Sequence, residues 1–202
     1  MSKHIDRIFY INLNKRVDRR NAIEKELNNF QLSYERFPAI ETPGFGIYGC
    51  GLSHLTVLKI SRKRGYKNVL IFEDDFTFLV SKEEFEKQLT YFFESGINFD
   101  VCKLAYNLHE KIDINNEIIG KIVSSATASA YIVNSHYFDK LIKLYEWAMP
   151  LLIKSRNPSI YANDVVWKTY QKEDNWYYFK KRIGMQRPSY SDNALMFSYF
   201  GV

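Results

Sequence analysis

Apolar and polar positions in this chain follow two rhythms, one of strands and one of helices. Ile8, Phe9, Tyr10 and Ile11, within "HIDRIFYINLN", form a near-continuous apolar run, the pattern of a strand buried on both faces. Ile23, Leu27 and Phe30 then recur at i, i+4, i+7 among charged residues, which predicts a helix. "LSYERFPAI" predicts a second short strand ended by Pro38. The stretch from Glu41 to Gly51, "ETPGFGIYGCG", holds four glycines and a proline and reads as a loop. Helical spacing resumes from about Leu52 to Arg64 through Leu55, Leu58 and Ile60, with Gly65 as the stop. "KNVLIFE" reads as a central strand, and "KEEFEKQLTYFFESG" as a helix with an acidic start that ends at Gly96. "NFDVCKLAY" and "SAYIVN" supply further strands, and "SHYFDKLIKLYEWAM" is a helix capped by Ser135. "NDVVWKTYQK" gives a short helix, "WYYFKK" a late strand, and the tail from Gly184 reads as irregular. Strands alternating with helices imply an α/β domain with a largely parallel sheet, and 202 residues suit one domain.

Composition narrows the class without naming it. Hydrophobic residues at 46% and charged residues at 25% match a soluble globular protein. The N-terminus lacks an apolar core of signal-peptide length, and no stretch approaches the roughly 18 to 20 apolar residues of a membrane helix, so a soluble, cytoplasmic chain is expected. Cys50 and Cys102 are too few for a disulfide framework and read as free thiols. The net charge of +5 gathers at Lys15, Arg16, Arg19 and Arg20, at Arg62, Lys63 and Arg64, and at Lys180, Lys181 and Arg182. Such clusters serve nucleic acid, an anionic surface or a phosphorylated small molecule, or they are solvated helix faces. Their dispersal, with no recognised nucleic-acid motif, places nucleic acid last among these.

The chemistry concentrates in "VLIFEDDF", residues 69–76, where an apolar strand runs into Glu73, Asp74 and Asp75. Three adjacent carboxylates repel one another, and ligands of parallel sheets bind at the carboxyl ends of strands. A divalent cation with a preference for hard oxygen ligands, Mn²⁺ or Mg²⁺, would compensate them; surface solvation is the alternative. Strand alternation would point Glu73 and Asp75 one way and Asp74 the other.

Five islands, "IFYINLNKRVDRR", "GIYGCGLSHL", "VLIFEDDF", "ASAYIVN" and "QRPSYSDN", resemble glycosyltransferase family 25 in order and approximate spacing. The resemblance implies a GT-A-like, Rossmann-type α/β/α sandwich, a UDP-sugar donor, typically UDP-galactose, and inversion at the anomeric carbon. It further implies that Asp75 and, second, Glu73, through water or to the ribose, hold the metal, that Asp74 and the Asn12–Leu13 backbone serve the donor, and that Arg16, Arg19 or Arg20 pairs with its phosphate. Salt bridges with Asp18 or Glu24 are the alternative for the arginines. "GCGLSHL" resembles a donor-side loop, with Gly49 and Gly51 allowing close approach, Ser53 and His54 able to bond the donor, and a purely structural His54 as the alternative. Cys50 reads as a packed residue rather than a nucleophile. Asp164 is the candidate base, or else a helix N-cap; Gln186, on the donor side, and Asp192, a second catalytic candidate that could touch the metal, the donor or the acceptor, match the family's terminal pattern. The expected function is a metal-dependent hexosyltransferase acting on a hydroxyl of a glycan, a lipid-linked saccharide such as lipooligosaccharide, or a collagen-like protein. The alternative is a catalytically inactive module that binds nucleotide sugar or protein. Residues 1–105 would hold the nucleotide sugar and residues 106–202 would face the acceptor.

Overall fold

The computed structural model describes residues 4–191 and 196–198. The apolar run at residues 8–11 forms the core of strand β1 (Arg7–Asn12), and "NVLIF" forms most of β3 (Asn68–Glu73). Alternate residues of these strands enter two different apolar layers. Phe9, Ile11, Val69 and Ile71 pack on one face of the sheet, where they meet Leu55, Val57 and Leu58 of α2 (Gly46–Lys63) and Phe138, Leu141 and Tyr145 of α4 (Ser135–Ser155). Ile8, Tyr10, Leu70 and Phe72 pack on the other, against Ile23 and Leu27 of α1 (Val17–Asn29) and Phe85, Leu89 and Phe92 of α3 (Lys82–Glu94). Burial on both faces explains why these strands read as continuous apolar runs. The expected Rossmann-type α/β/α sandwich is therefore present.

Among the described residues the main sheet has the order β2-β1-β3-β6-β5-β7, with β2 at Glu35–Pro38, β5 at Val101–Ile112, β6 at Ile119–Asn134 and β7 at Trp176–Phe179. Five strands run one way and β6 alone runs against them, being antiparallel to β3, β5 and β7. The reason is the connection: residues 113–118 join β5 to β6 directly, and only an antiparallel pair can be closed so briefly. The β5–β6 ladder is broken by register shifts between Lys103 and Asn107, which bend it beside the carboxyl end of β3. The proposed division between residues 105 and 106 falls inside β5.

Four local expectations are corrected. Helix α2 starts at Gly46, so the glycine-rich stretch is loop only as far as Phe45. Helix α4 is capped by the Asn134 side chain, which accepts from the His136 N–H, and not by Ser135. The tail is not wholly irregular: β8 (Gly184–Gln186) pairs with the short β4 (Phe76–Phe78), and β9 (Ser189–Ser191) with β10 (Met196–Ser198). The expected short helix at "NDVVWKTYQK" is two single turns, α6 (Asn163–Val166) and α7 (Lys168–Gln171), which follow the turn α5 (Pro158–Tyr161).

Candidate active site

From β1 the chain passes to β2 on one side and then, through α2, to β3 on the other, so the order of the sheet reverses at β1. A crevice at the carboxyl ends of strands flanking such a reversal is where open α/β sheets bind ligands. Asn12 ends β1 there and Glu73 ends β3. Asp74 and Asp75 follow as a two-residue turn before β4, and only 7% of each is exposed.

Because the ladder stops at Glu73, strand alternation stops with it, and the expected pairing of Glu73 with Asp75 is corrected. Asp74 and Asp75 converge instead: Arg19 Nη1 donates to Asp74 Oδ1 and to Asp75 Oδ2, at 3.0 Å each. Asn12 Nδ2 donates to Asp74 Oδ2 at 2.7 Å, and Gln186 Nε2 donates to Asp75 Oδ2 at 3.1 Å. Glu73 turns toward α2 on the opposite face, where His54 Nε2 lies 3.0 Å and Cys50 Sγ 3.5 Å from its Oε1. Burial and the neighbouring Glu73 charge push Asp75 up to about 7 against the pull of Arg19. Burial also raises Asp74, opposed by Arg19 and Asn12. Burial acts on Glu73 in the same direction, but the His54 hydrogen bond and charge outweigh it and hold the carboxyl below its ordinary value.

Asp75 Oδ1 is shielded from solvent and has no hydrogen-bond partner among the described residues. A buried carboxylate oxygen without a donor costs on the order of 1–3 kcal/mol, so the pair of aspartates fits a cation that would supply the missing partner.

The other expected residues fall out as follows. Asn12 is buried and held by Arg36, whose Nε donates to its Oδ1 at 3.1 Å; Leu13 is half-buried and its carbonyl accepts from the Arg16 N–H. Arg16 forms a bidentate pair with Asp18 and Arg20 donates to Glu24 at 3.1 Å, both at the surface. Gly49, Gly51, Ser53 and His54 lie inside α2, not in a loop. A β-carbon on Gly49 would come within 2.2 Å of the Ile40 carbonyl oxygen, and one on Gly51 within 2.4 Å of Met149 Sδ. The close approach foreseen for these glycines is thus between parts of the protein itself. Ser53 is buried, accepting from the Ile40 N–H and donating to the Gly49 carbonyl. His54 is buried between Glu73 and Tyr131, whose hydroxyl lies 2.8 Å from Nδ1. Asp164 is not a helix cap, since Ala162 occupies the N-cap position of α6. Its Oδ2 accepts instead from the Thr127 N–H at 2.9 Å, holding a residue whose φ of 74° is left-handed and strained for a β-branched side chain. Asp192 lies outside the described residues.

Two residues of this region escaped the sequence reading. Arg19 belongs in sequence to a basic cluster suited to phosphate, yet it lies four residues before Ile23 and eight before Leu27, on the buried stripe of α1. Lys103 sits in the apolar run of β5, fully buried; Nζ donates to Ser125 Oγ at 3.0 Å and to the Ala126 carbonyl at 2.5 Å, and lies 4.6 Å from the centre of the Trp167 ring. Burial drives its pKa down to about 7, opposed by the Asp164 charge. Among the basic clusters, Lys15 pairs with Glu41, Arg62 with Asp139, Arg64 with Glu35 and Lys181 with Glu84. No helix among the described residues is long and apolar enough to cross a membrane.

No family model matches the chain. A glycosyltransferase 25 family member of Drosophila melanogaster is 31% identical over 101 residues, covering 37% of this chain and 16% of the relative's length. Among solved structures, the chain is similar to A197 from STIV at 11% identity and a TM-score of 0.48, covering 89% of this chain and 93% of that one. A glycosyltransferase involved in the glycosylation of the major capsid of PBCV-1 aligns at 7% identity and a TM-score of 0.45, covering 86% and 91%. At such identities and TM-scores these likenesses add nothing to the strand order described above. Over the aligned stretch the chain shows a distant sequence similarity to that glycosyltransferase 25 family member, of whose length it spans only 16%.

Proposed function

We propose that this chain is the nucleotide-sugar-binding and catalytic part of an inverting glycosyltransferase that moves a hexose from a UDP-sugar to an acceptor hydroxyl. The observation that carries the reading is the convergence of Asp74 and Asp75 at the sheet's reversal point, with Asp75 Oδ1 buried and without a hydrogen-bond partner among the described residues. Asp75, helped by Asp74, would hold Mn²⁺ or Mg²⁺. Glu73, the second expected ligand, is engaged by His54 and Cys50 and is left out of that role. The bound ion would supply Lewis-acid stabilisation of the departing diphosphate. Asn12 and the Leu13 backbone, at the end of β1, would take the nucleoside. Arg16 and Arg20 would pair with the phosphates, since their surface pairs with Asp18 and Glu24, worth at most about 1 kcal/mol, are easily exchanged. Asp164, held by the Thr127 amide, would accept the proton of the acceptor hydroxyl. Galactose as the sugar, and a glycan, a lipooligosaccharide or a hydroxylysine as the acceptor, follow the family resemblance.

The test is nucleotide release from a panel of UDP-, GDP- and CMP-sugars with Mn²⁺, with Asp75→Asn and Asp164→Asn in parallel. Turnover of one UDP-sugar that is lost in both variants is the expected result. Binding without turnover, unchanged in Asp164→Asn, would make the chain a non-catalytic nucleotide-sugar module. Neither binding nor turnover would overturn the reading.

A further inference from the structure

Helix α2 presents a second set of metal-binding side chains that the donor chemistry does not use. Cys50 and His54 are spaced i, i+4 and so share one face of this helix of 18 residues. That face meets Glu73, the last residue of β3. Glu73 Oε1 lies 3.5 Å from Cys50 Sγ and 3.0 Å from His54 Nε2, and the three donor atoms all lie within 4.8 Å of one another. In a tetrahedral zinc site with bonds of about 2.0–2.3 Å, neighbouring donor atoms are roughly 3.3–3.6 Å apart, so small shifts would bring this trio to that spacing.

The surroundings suit an ion as well as the distances do. His54 is fully buried, and the Tyr131 hydroxyl lies 2.8 Å from its Nδ1. A hydrogen bond at the rear nitrogen fixes the ring so that Nε2 faces Glu73 and Cys50, the outer-shell support that metal-bound histidines receive. Tyr131 is itself packed edge-on against Trp167, which limits its own movement. Cys50 is half-buried, which leaves a route for solvent and a fourth ligand. One sulfur, one imidazole nitrogen and one carboxylate oxygen form a borderline-soft donor set, unlike the all-oxygen pair of Asp74 and Asp75.

We propose that Cys50, His54 and Glu73 bind a Zn²⁺-class cation at a site chemically separate from the Asp74–Asp75 pair, and this inference does not rest on the glycosyltransferase reading. On binding, the Cys50 S–H proton and the His54 Nε2 proton pass to solvent as the sulfur–metal and nitrogen–metal bonds form, and the His54 ring keeps its proton on Nδ1, donating it to the Tyr131 oxygen. The ion would tie α2 to the carboxyl end of β3.

Titration of the purified, metal-free protein with Co²⁺ tests this, because a cobalt–thiolate bond produces an ultraviolet charge-transfer band and four-coordinate cobalt intense visible bands. Expected are a saturable band displaced by Zn²⁺, lost in Cys50→Ser and kept in Asp75→Asn. In Tyr131→Phe, which removes the rear partner of His54, Zn²⁺ affinity should fall about tenfold or more. Cys50→Ser retains a hydroxyl donor for Glu73, and circular dichroism would confirm its folding. A measurement that needs no variant is alkylation of Cys50 followed by peptide mass mapping, which Zn²⁺ should slow. Absence of the band in the folded wild type, its survival in Cys50→Ser, its loss in Asp75→Asn, or alkylation indifferent to Zn²⁺ would overturn the proposal. The trio would then be a hydrogen-bonded cluster in which His54 and Cys50 both donate to Glu73.

Discussion

Arg19 is the residue on which the acidic turn depends most directly. A single guanidinium nitrogen serves both Asp74 and Asp75, and the side chains involved are only 15%, 10% and 8% exposed. Removing one partner of a buried pair leaves uncompensated charge, so Arg19→Ala should cost about 3 kcal/mol in metal-free protein near pH 8. The cost should shrink in acid. Asp75 is raised in the folded state to about 7, so the folded chain binds a proton there that the unfolded chain has already lost. This group's contribution to stability therefore falls as pH rises through the window from about 4 to about 7. Without Arg19 the fall should be steeper, which urea denaturation near pH 5 and near pH 8, with a chelator present, would detect. Lys103 works in the opposite sense. Its folded pKa is depressed to about 7, so between about 7 and its unfolded value near 10.4 the unfolded chain holds more protons and stability rises with pH. Lys103→Met should remove that rise, up to about 1.4 kcal/mol per pH unit, in a comparison of the two proteins between about pH 7.5 and pH 9.5.

At the scale of elements, α2 is set against its neighbours by Gly49 and Gly51, and their substitution should not be equivalent. Within a helix, Gly→Ala ordinarily gains about 1 kcal/mol. At Gly49 the new β-carbon meets a backbone carbonyl at 2.2 Å, which only a shift of the whole 40–46 segment can relieve. At Gly51 it meets the far end of a methionine side chain, which can turn away. Gly49→Ala should therefore lose about 3 kcal/mol net, while Gly51→Ala should stay within about 1 kcal/mol of the wild type, both read from urea midpoints. The same packing explains why a stretch so rich in glycine becomes a helix from Gly46. The glycines are spent on closeness, and burial of Leu55, Val57 and Leu58 offsets their poor propensity. Asp164 and Thr127 show a similar exchange, with one carboxylate hydrogen bond holding a strained strand residue beside the crevice.

For the whole molecule, the two apolar layers share the same strands, and β5 crosses the division expected at residue 105. Neither half has a complete sheet of its own. Unfolding should accordingly be a single cooperative transition, with tryptophan fluorescence and far-ultraviolet circular dichroism coinciding across urea. Trp167 and Trp176 are fully buried and in edge contact with each other, so fluorescence reports chiefly on the layer beneath α4. Two separated transitions would show instead that residues 1–105 and 106–202 fold as independent parts.

The chain's own sequence determined the strands and helices of the sandwich, the two-faced burial of β1 and β3, the stop at Gly65 and the place of the acidic turn. Those features follow from periodicity and from residues a few positions apart, which the local backbone enforces whatever surrounds it. The partners of the three carboxylates were not legible in that way. Arg19 reaches Asp74 and Asp75 across more than fifty residues, and His54 meets Glu73 only because α2 and β3 pack on the same face. The start of α2, the reversal of β6 and the escape of Asp74 and Asp75 from strand alternation were likewise settled by tertiary structure. In each case a long-range contact or a chain connection outweighed a local preference, because burial and ion pairing between distant segments exceed the fractions of a kilocalorie that separate local conformations.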